Sequence, residues 1–279
     1  MKYELQEKVV IITGSSRGIG RSTAALCLLR GAYVVINGRN PEKLRQTFDK
    51  LHTDHRNRVL AITGDVSSES DMEKLVQKTI STFKRIDVLI NNAAISMRGP
   101  FQTLTASVAK QVIQINTLGA IIPTIACIPY IQQGGGSIIF LSSISGICGF
   151  PGASVYCASK MAMTAIAQSI DAELYDSNTH VGIIYLPYTE NDSDKKILTS
   201  SGDQKMYQRN YKITQREAAQ KIVNLIEKRK KRKILTPIGR FAWVIQGLMP
   251  SLADLILRIS GGKLHRVVEK NQKKQSSSL

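Results

Sequence analysis

Tyr156 and Lys160 stand four residues apart in the stretch 142–160, SSISGICGFPGASVYCASK, with the hydroxyl of Ser143 upstream. On a helix, residues four apart lie on one face, a turn apart. A phenol titrates near pH ~10 and exchanges protons poorly at neutrality. An ammonium fixed beside it favours phenolate and is expected to lower that pKa. A hydroxyl delivered from the preceding turn could hold a substrate oxygen against the phenol. The three together would make a general acid/base site. The bland alternative is a half-buried Tyr and a snorkelling Lys on an ordinary helix. Gly149, Pro151 and Gly152 break the chain ahead of the pair. Ser154 is a favoured N-cap type, so the helix is expected to start near it.

A second group of residues would bind rather than react. Lys8–Thr13 is the kind of continuous apolar run found in buried parallel strands. It runs directly into Gly14-Ser15-Ser16-Arg17-Gly18-Ile19-Gly20, and a helix, Ile19–Arg30, follows and stops at Gly31. A glycine-rich turn between strand and helix lets backbone approach a pyrophosphate, whose charge suits the helix N-terminus. The next strand, Tyr33–Asn37, ends in Gly38-Arg39-Asn40 with no acid. An acid there suits the ribose hydroxyl of NAD, whereas Arg suits a 2′-phosphate. Arg39, with Arg17 as a second cation, therefore points to NADP(H).

The elements that must position these groups continue the alternation. Helices are expected at Pro41–Leu51 and Ser70–Phe83, and strands at Arg58–Ile62 and Ile86–Ile90. Further strands are expected at Ser137–Leu141, delivering Ser143, at Val181–Leu186 and at Lys233–Thr236. Gln102–Gln132, Tyr156–Leu174 and Thr214–Arg229 read as helices, the last with a capping box of Thr214 and Glu217. The fold class is α/β: a Rossmann-type, doubly wound parallel sheet of about seven strands with helices on both faces. Its ligand is expected at the carboxyl ends of the strands.

The chain resembles the short-chain dehydrogenases/reductases. The matching motifs are Thr13-Gly14-x-x-x-Gly18-Ile19-Gly20, Asp65, Asn91-Asn92-Ala93, Asn116, Ser143 and Tyr156-x-x-x-Lys160, spread in order over residues 8 to about 190. The resemblance implies catalysis by Asn116, Ser143, Tyr156 and Lys160, with no metal. It implies an NADP(H) site at Gly14, Ser16, Arg17, Gly18, Ile19, Gly20, Arg39, Asn40, Asp65, Val66, Asn92, Ala93, Tyr156, Lys160, Pro187 and Thr189. Asp65 would face the adenine, Lys160 the nicotinamide ribose, and Asn116 would hold a water joining Lys160 to solvent. The activity implied is interconversion of a carbonyl and an alcohol, with a lipophilic ketone or aldehyde as substrate. The apolar helices around Asn116 and Tyr156 suit either a well-covered core or, as the resemblance implies, the interface of a homo-oligomer, dimer or tetramer. The chain departs from the pattern at Ala94 and Tyr188, where glycine is usual, and Thr189 comes earlier than usual.

Composition bounds the rest. The 279 residues suit a single domain over 1–237, with a basic, partly apolar helical extension over 238–279. Cys27, Cys127, Cys148 and Cys157 show no metal spacing and read as reduced thiols of a cytoplasmic protein. No run was expected to reach the ~18 apolar residues of a membrane span. The net charge is +17, and from Lys228 onward thirteen Lys/Arg face two Asp/Glu. Phe241–Met249 and Leu252–Ile259, broken by Pro250 and followed by the cations of Lys263–Lys274, suit either an anionic membrane surface or packing on the fold. The basic run Lys228–Lys233 lacks aromatic interleaving, so nucleic acid is not an expected partner. Two other readings stand beside the lipophilic-carbonyl oxidoreductase. One is a 3-oxoacyl-carrier-protein reductase, whose acidic partner would suit the charge. The other is a membrane-surface or nucleic-acid-binding protein that senses redox state. The segment Glu190–Tyr211 is polar without clear period and falls where the resembled family carries its substrate lid.

Overall fold

The structure is a computed structural model that describes residues 3–55, 57–207 and 210–259. In chain order the main elements begin with β1 (Val9–Ile12), α1 (Gly18–Leu29), β2 (Tyr33–Gly38), α2 (Pro41–Asp54), β3 (Val59–Thr63), α3 (Glu69–Phe83) and β4 (Val88–Asn91). Next come β5 (Met97–Arg98), α4 (Ala106–Ile113), a π-helical turn (Gln114–Leu118), α5 (Gly119–Gln133), β6 (Ser137–Ser143), α6 (Ser154–Glu173) and β7 (His180–Leu186). The chain continues with β8 (Lys196–Thr199), β9 (Gln204–Met206), α7 (Gln215–Glu227), β10 (Arg232–Ile234) and α8 (Pro237–Leu248), and a further helical stretch covers 250–259.

Seven strands form one parallel sheet in the order β10-β7-β6-β4-β1-β2-β3. The strand order reverses between β1 and β4, which opens a crevice at their carboxyl ends. Strand alternation divides the core into two layers. Val10, Ile12, Val34, Ile36, Val88 and Ile90 point to one face, where α1, α2 and α7 pack through Cys27, Leu28, Leu44, Ile222 and Val223. Val9, Ile11, Val35 and Leu89 point to the other, under Met72 and Leu75 of α3, Cys127 and Ile131 of α5, and Met163 and Ala167 of α6. At the amino-terminal end Asp87 is buried and ties the sheet together. It accepts from Val9 N at 2.9 Å and from both Nε and Nη2 of Arg85 at 2.8 and 2.6 Å.

Several expectations need correction. The long helix is not uniform: α4, the π turn and α5 run on as one 28-residue helix, Ala106–Gln133, which is long and apolar enough to cross a membrane. No such run was expected. Here its inner side packs against α3, β4 and the site, with Val112, Asn116, Ala120, Thr124, Cys127 and Ile131 buried. Ser154 does not cap α6. Ala153 holds the cap position, and Ser154 is the first helical residue, with its hydroxyl buried and unpaired. The polar segment after β7 is more regular than its composition suggested: β8 and β9 pair, and β8 joins β5 in a small second sheet. The basic run is absorbed into the turn and strand that close the large sheet. Arg229, in the left-handed region at φ 46, donates to the carbonyls of Gly135 and Asn178, Lys231 meets Asp171 at 2.7 Å, and Arg232 lies over the Trp243 ring at 5.0 Å. The capping box of Thr214 and Glu217 on α7 is present. Lys263–Lys274 lies outside the described residues.

Candidate active site

One cavity of about 1110 Å³ lies over the carboxyl ends of the strands. At one end it is lined by the β1–α1 turn. Gly14 and Gly18 there have φ near +61 and +60, a conformation open to glycine. A side chain on Gly14 would meet Ala93 Cα at 2.7 Å, and one on Gly20 would meet Asn92 Nδ2 at 2.6 Å. The turn is therefore packed flat against the end of β4. Thr13 and Asn92 hold it there. Thr13 Oγ1 accepts from the backbone N–H of Asn92 and Ala93 at 3.0 and 3.1 Å, and Asn92 Nδ2 donates to the carbonyls of Thr13 and Gly14 at 2.7 and 2.9 Å.

Ser16, Arg17, Gly18, Ile19, Gly20, Arg39, Asn40, Val66, Ala93, Pro187 and Thr189 all line the cavity. Asp65 does not. It accepts from Ser67 N and Oγ at 2.9 and 2.7 Å and pairs with Arg39 Nη1 at 3.5 Å. Burial would raise its carboxyl, but the Ser67 hydrogen bonds and the Arg39 charge outweigh this and hold it below the usual range. Asn40 caps α2, its side chain accepting from Lys43 N at 2.8 Å. The cation beside Arg17 is Lys43, from the first turn of α2, which sequence reasoning missed. Both contact Asp194.

At the other end stand Ser143, Tyr156 and Lys160. Strand β6 delivers Ser143 as its last residue, and the second turn of α6 carries Lys160 above Tyr156. Lys160 is 5% exposed, and its Nζ donates to the Leu141 carbonyl at 2.9 Å. Ser142 Oγ donates to the Lys160 carbonyl at 2.9 Å, which fixes α6 against β6. Burial, together with the Lys195 charge, pushes the ammonium down to about 8. Burial also pushes the Tyr156 phenol up, and this corrects the expected lowering by Lys160. The groups that oppose burial are hydrogen bonds to Ser143 and Ser96 and the charge of Arg98. Arg98 in turn donates to the Tyr188 hydroxyl at 2.6 Å. Neither Arg98 nor Tyr188 was singled out for the site, although Tyr188 was noted as a departure from the usual glycine.

Asn116 does not line the cavity. It sits 1% exposed inside the π turn. Its Oδ1 accepts from Ile95 N at 2.8 Å, and its Nδ2 donates to Ile95 O and to Ser159 Oγ, both at 3.0 Å. Such one-turn π segments recur at functional sites. Here the turn aims one amide at the backbone of the β4–β5 loop and at Ser159, whose hydroxyl donates to the Tyr156 carbonyl.

A family model described as short chain dehydrogenase matches residues 8–202, a span that contains every residue named above from the glycine turn to Asp194. The chain belongs to the short-chain dehydrogenase family. Dehydrogenase/reductase SDR family member 7B of Mus musculus is 28% identical over 99% of this chain and 85% of its own. 3-Ketodihydrosphingosine reductase of Bos taurus is 32% identical over 65% of this chain and 56% of its own. 11-beta-Hydroxysteroid dehydrogenase-like 4A of Arabidopsis thaliana is 36% identical over 68% of this chain and 64% of its own. A short-chain dehydrogenase/reductase from Burkholderia phymatum, solved in complex with NAD, shares the fold, with a TM-score of 0.79 at 18% identity over 90% of this chain and 96% of that one. As a short-chain dehydrogenase the protein is an oxidoreductase, and a nicotinamide nucleotide is the cofactor class implied. The donors present fit such a group. The anion now held at the N-terminus of α1 is a carboxylate of the chain itself, Asp192, whose Oδ2 accepts from Gly18 N at 2.9 Å.

Proposed function

We propose that the protein is an NADP(H)-dependent oxidoreductase that interconverts a carbonyl and an alcohol, with a lipophilic ketone or aldehyde as substrate. The observation that carries this is a single cavity shared by the glycine turn, Arg17 and Lys43 at one end and Ser143, Tyr156 and Lys160 at the other. The bound nicotinamide would supply or accept the hydride. In the reductive direction Ser143 holds the carbonyl oxygen, and Tyr156 gives it a proton. A phenol kept protonated by burial is suited to that donation. Lys160 offers its free N–H bonds to the nicotinamide ribose. Asn116 supports proton resupply by tying the Ile95 backbone to Ser159 of α6. Arg17 and Lys43 favour a 2′-phosphate, and Arg39 is a third cation at that end.

The substrate reading rests on the walls of the catalytic end, where Met97, Ile144, Phe150, Pro151, Ile197 and Leu198 are apolar. Relatives named for a ketosphingoid and a steroid agree with it. Two surfaces support partners. Ile113 on α4, Leu118 at the end of the π turn, Ile125 on α5 and Met161 on α6 are exposed and suit a homo-oligomer. Phe241, at 61%, and Leu248, at 78%, belong to an exposed apolar row on α8 that 250–259 continues with Leu255 and Ile259, near Arg240 and Arg258. That row suits an anionic membrane surface.

Assaying ketones, aldehydes and acyl thioesters with NADPH and NADH tests the reading. Turnover of apolar ketones or aldehydes with NADPH, lost in Tyr156→Phe, is expected. A preference for acyl thioesters would favour the carrier-protein alternative, and full activity of Tyr156→Phe would overturn the acid/base assignment. Sedimentation with anionic vesicles at low salt is expected to carry the protein down.

A further inference from the structure

The segment between β7 and β8 puts two carboxylates onto the donors that a dinucleotide phosphate would need. Asp192 Oδ2 accepts from Gly18 N at 2.9 Å, and its Oδ1 accepts from Arg21 Nη2 and Gln215 Nε2, each at 3.0 Å. Helix α1 has no side-chain cap of its own, since Arg17 occupies that position and no acid lies in the first turn. Its N-terminal charge is met instead by a residue 174 positions away. Gly18 leaves the approach open, because a side chain there would find only Asp192 Oδ2, at 3.8 Å. Two residues on, Asp194 lies 3.7 Å from Arg17 Nη1 and contacts Lys43 Nζ. These two cations are the ones best placed for a 2′-phosphate. The segment holds its shape through Lys195, whose N–H donates to the Asp192 carbonyl at 3.0 Å and whose Nζ donates to Asn191 Oδ1 at 2.7 Å.

We propose that Asp192 and Asp194 are phosphate surrogates: in the nucleotide-free protein they hold the 190–195 segment down on the pyrophosphate and 2′-phosphate donors, and they set both the affinity for the cofactor and its preference for a 2′-phosphate. This rests on the nucleotide reading of the cavity. An incoming phosphate cannot reach Gly18 N while a carboxylate stands 2.9 Å from it, so the strap must lift or turn as the cofactor enters. The two acids divide the work. Asp192 competes at a donor set that every dinucleotide uses. Asp194 competes only where the 2′-phosphate binds, and it is half-exposed, so its attraction to Arg17 and Lys43 is screened and easily displaced.

The test uses binding alone, with adenosine 2′,5′-bisphosphate and ADP as probes titrated calorimetrically into the full-length protein. Exposed ion pairs are individually weak, so freeing both cations in Asp194→Asn is expected to tighten the 2′,5′-bisphosphate about three- to tenfold, with ADP unchanged. Asp192→Asn is expected to tighten both probes. Unchanged or weaker bisphosphate binding by Asp194→Asn would overturn the proposal, because the carboxylate would then belong to the bound state. Wild-type protein that binds neither probe would instead overturn the nucleotide reading itself. Hydrogen exchange on the wild type is independent of whether either variant folds. Amides of 190–199 are expected to exchange faster with saturating 2′,5′-bisphosphate than without it, and slower exchange would refute the surrogate role.

Discussion

Lys160 is predicted to be costly to the nucleotide-free fold. Burial holds its ammonium near 8 rather than the ordinary 10.5, and at 1.36 kcal/mol per pKa unit this amounts to about 3 kcal/mol at neutral pH. Lys160→Met removes the charge while keeping a long side chain. It also strands the Leu141 carbonyl, which returns about 1–2 kcal/mol of that gain. The net effect expected at pH 7 is a stabilisation on the order of 1–2 kcal/mol, a rise in Tm of roughly 2–6 °C for a chain of this size. The pH dependence identifies the cause. The folded pKa lies below the unfolded one, so between about 8 and 10.5 the unfolded chain binds more protons, and wild-type stability climbs with pH through that window. Below about 8 the burial cost is fully present. The variant therefore leads at pH 7 and loses its lead towards pH 10. Thermal melts of both proteins without nucleotide, at half-unit steps from pH 6.5 to 10, test this. Parallel curves would refute the reasoning, whatever their offset.

Other outcomes follow from neighbouring groups. Arg98→Met removes a charge that lowers the Tyr156 phenol, so the alkaline limb of kcat/KM against pH should move to higher pH. His180, pushed down to about 4 by burial, must take up a proton when the chain unfolds in acid; wild-type stability should fall from pH 6.5 to 4, and His180→Asn should flatten that limb in denaturant titrations. Asp87→Ala leaves the buried Val9 N–H without its acceptor at the bottom of the sheet, while the half-exposed Arg85 turns to water, and should cost about 1–3 kcal/mol, read as a lower urea midpoint. Thr214→Ala breaks the capping box of α7 and should cost about 1 kcal/mol in the same measurement.

What was legible in the sequence was what lies close along the chain. The glycine turn follows its strand directly, and Tyr156 and Lys160 share a helix turn, so local spacing suffices to find them. The sheet was legible because buried parallel strands are short apolar runs separated by helices. What escaped depends on the chain returning to itself. Asp192 meets Gly18 across 174 positions, and Lys43 joins Arg17 only because β1 and β2 end side by side. The small sheet of β5, β8 and β9 was hidden because two of its strands lie inside the polar segment Glu190–Tyr211, which shows no clear period. Asn116 was found as a residue, but its π turn was not, since the amide's partners at Ile95 and Ser159 lie in other elements. The direction of the Tyr156 shift was missed because burial, which outweighs the neighbouring charges, is not local in sequence.

The buried cysteines supply a reporter. Cys27 packs in the layer of α1 and α7, and Cys127 in the layer of α3 and α5, on opposite faces of the same sheet. Both are fully enclosed, with thiols pushed up to about 12 by burial, so neither reacts until its own layer opens. A thiol reagent applied under native conditions therefore clocks each layer separately. Equal labelling rates would mean that the two faces come apart in one event, and unequal rates would rank them as distinct cooperative units. The sheet carries a built-in stopwatch on each side.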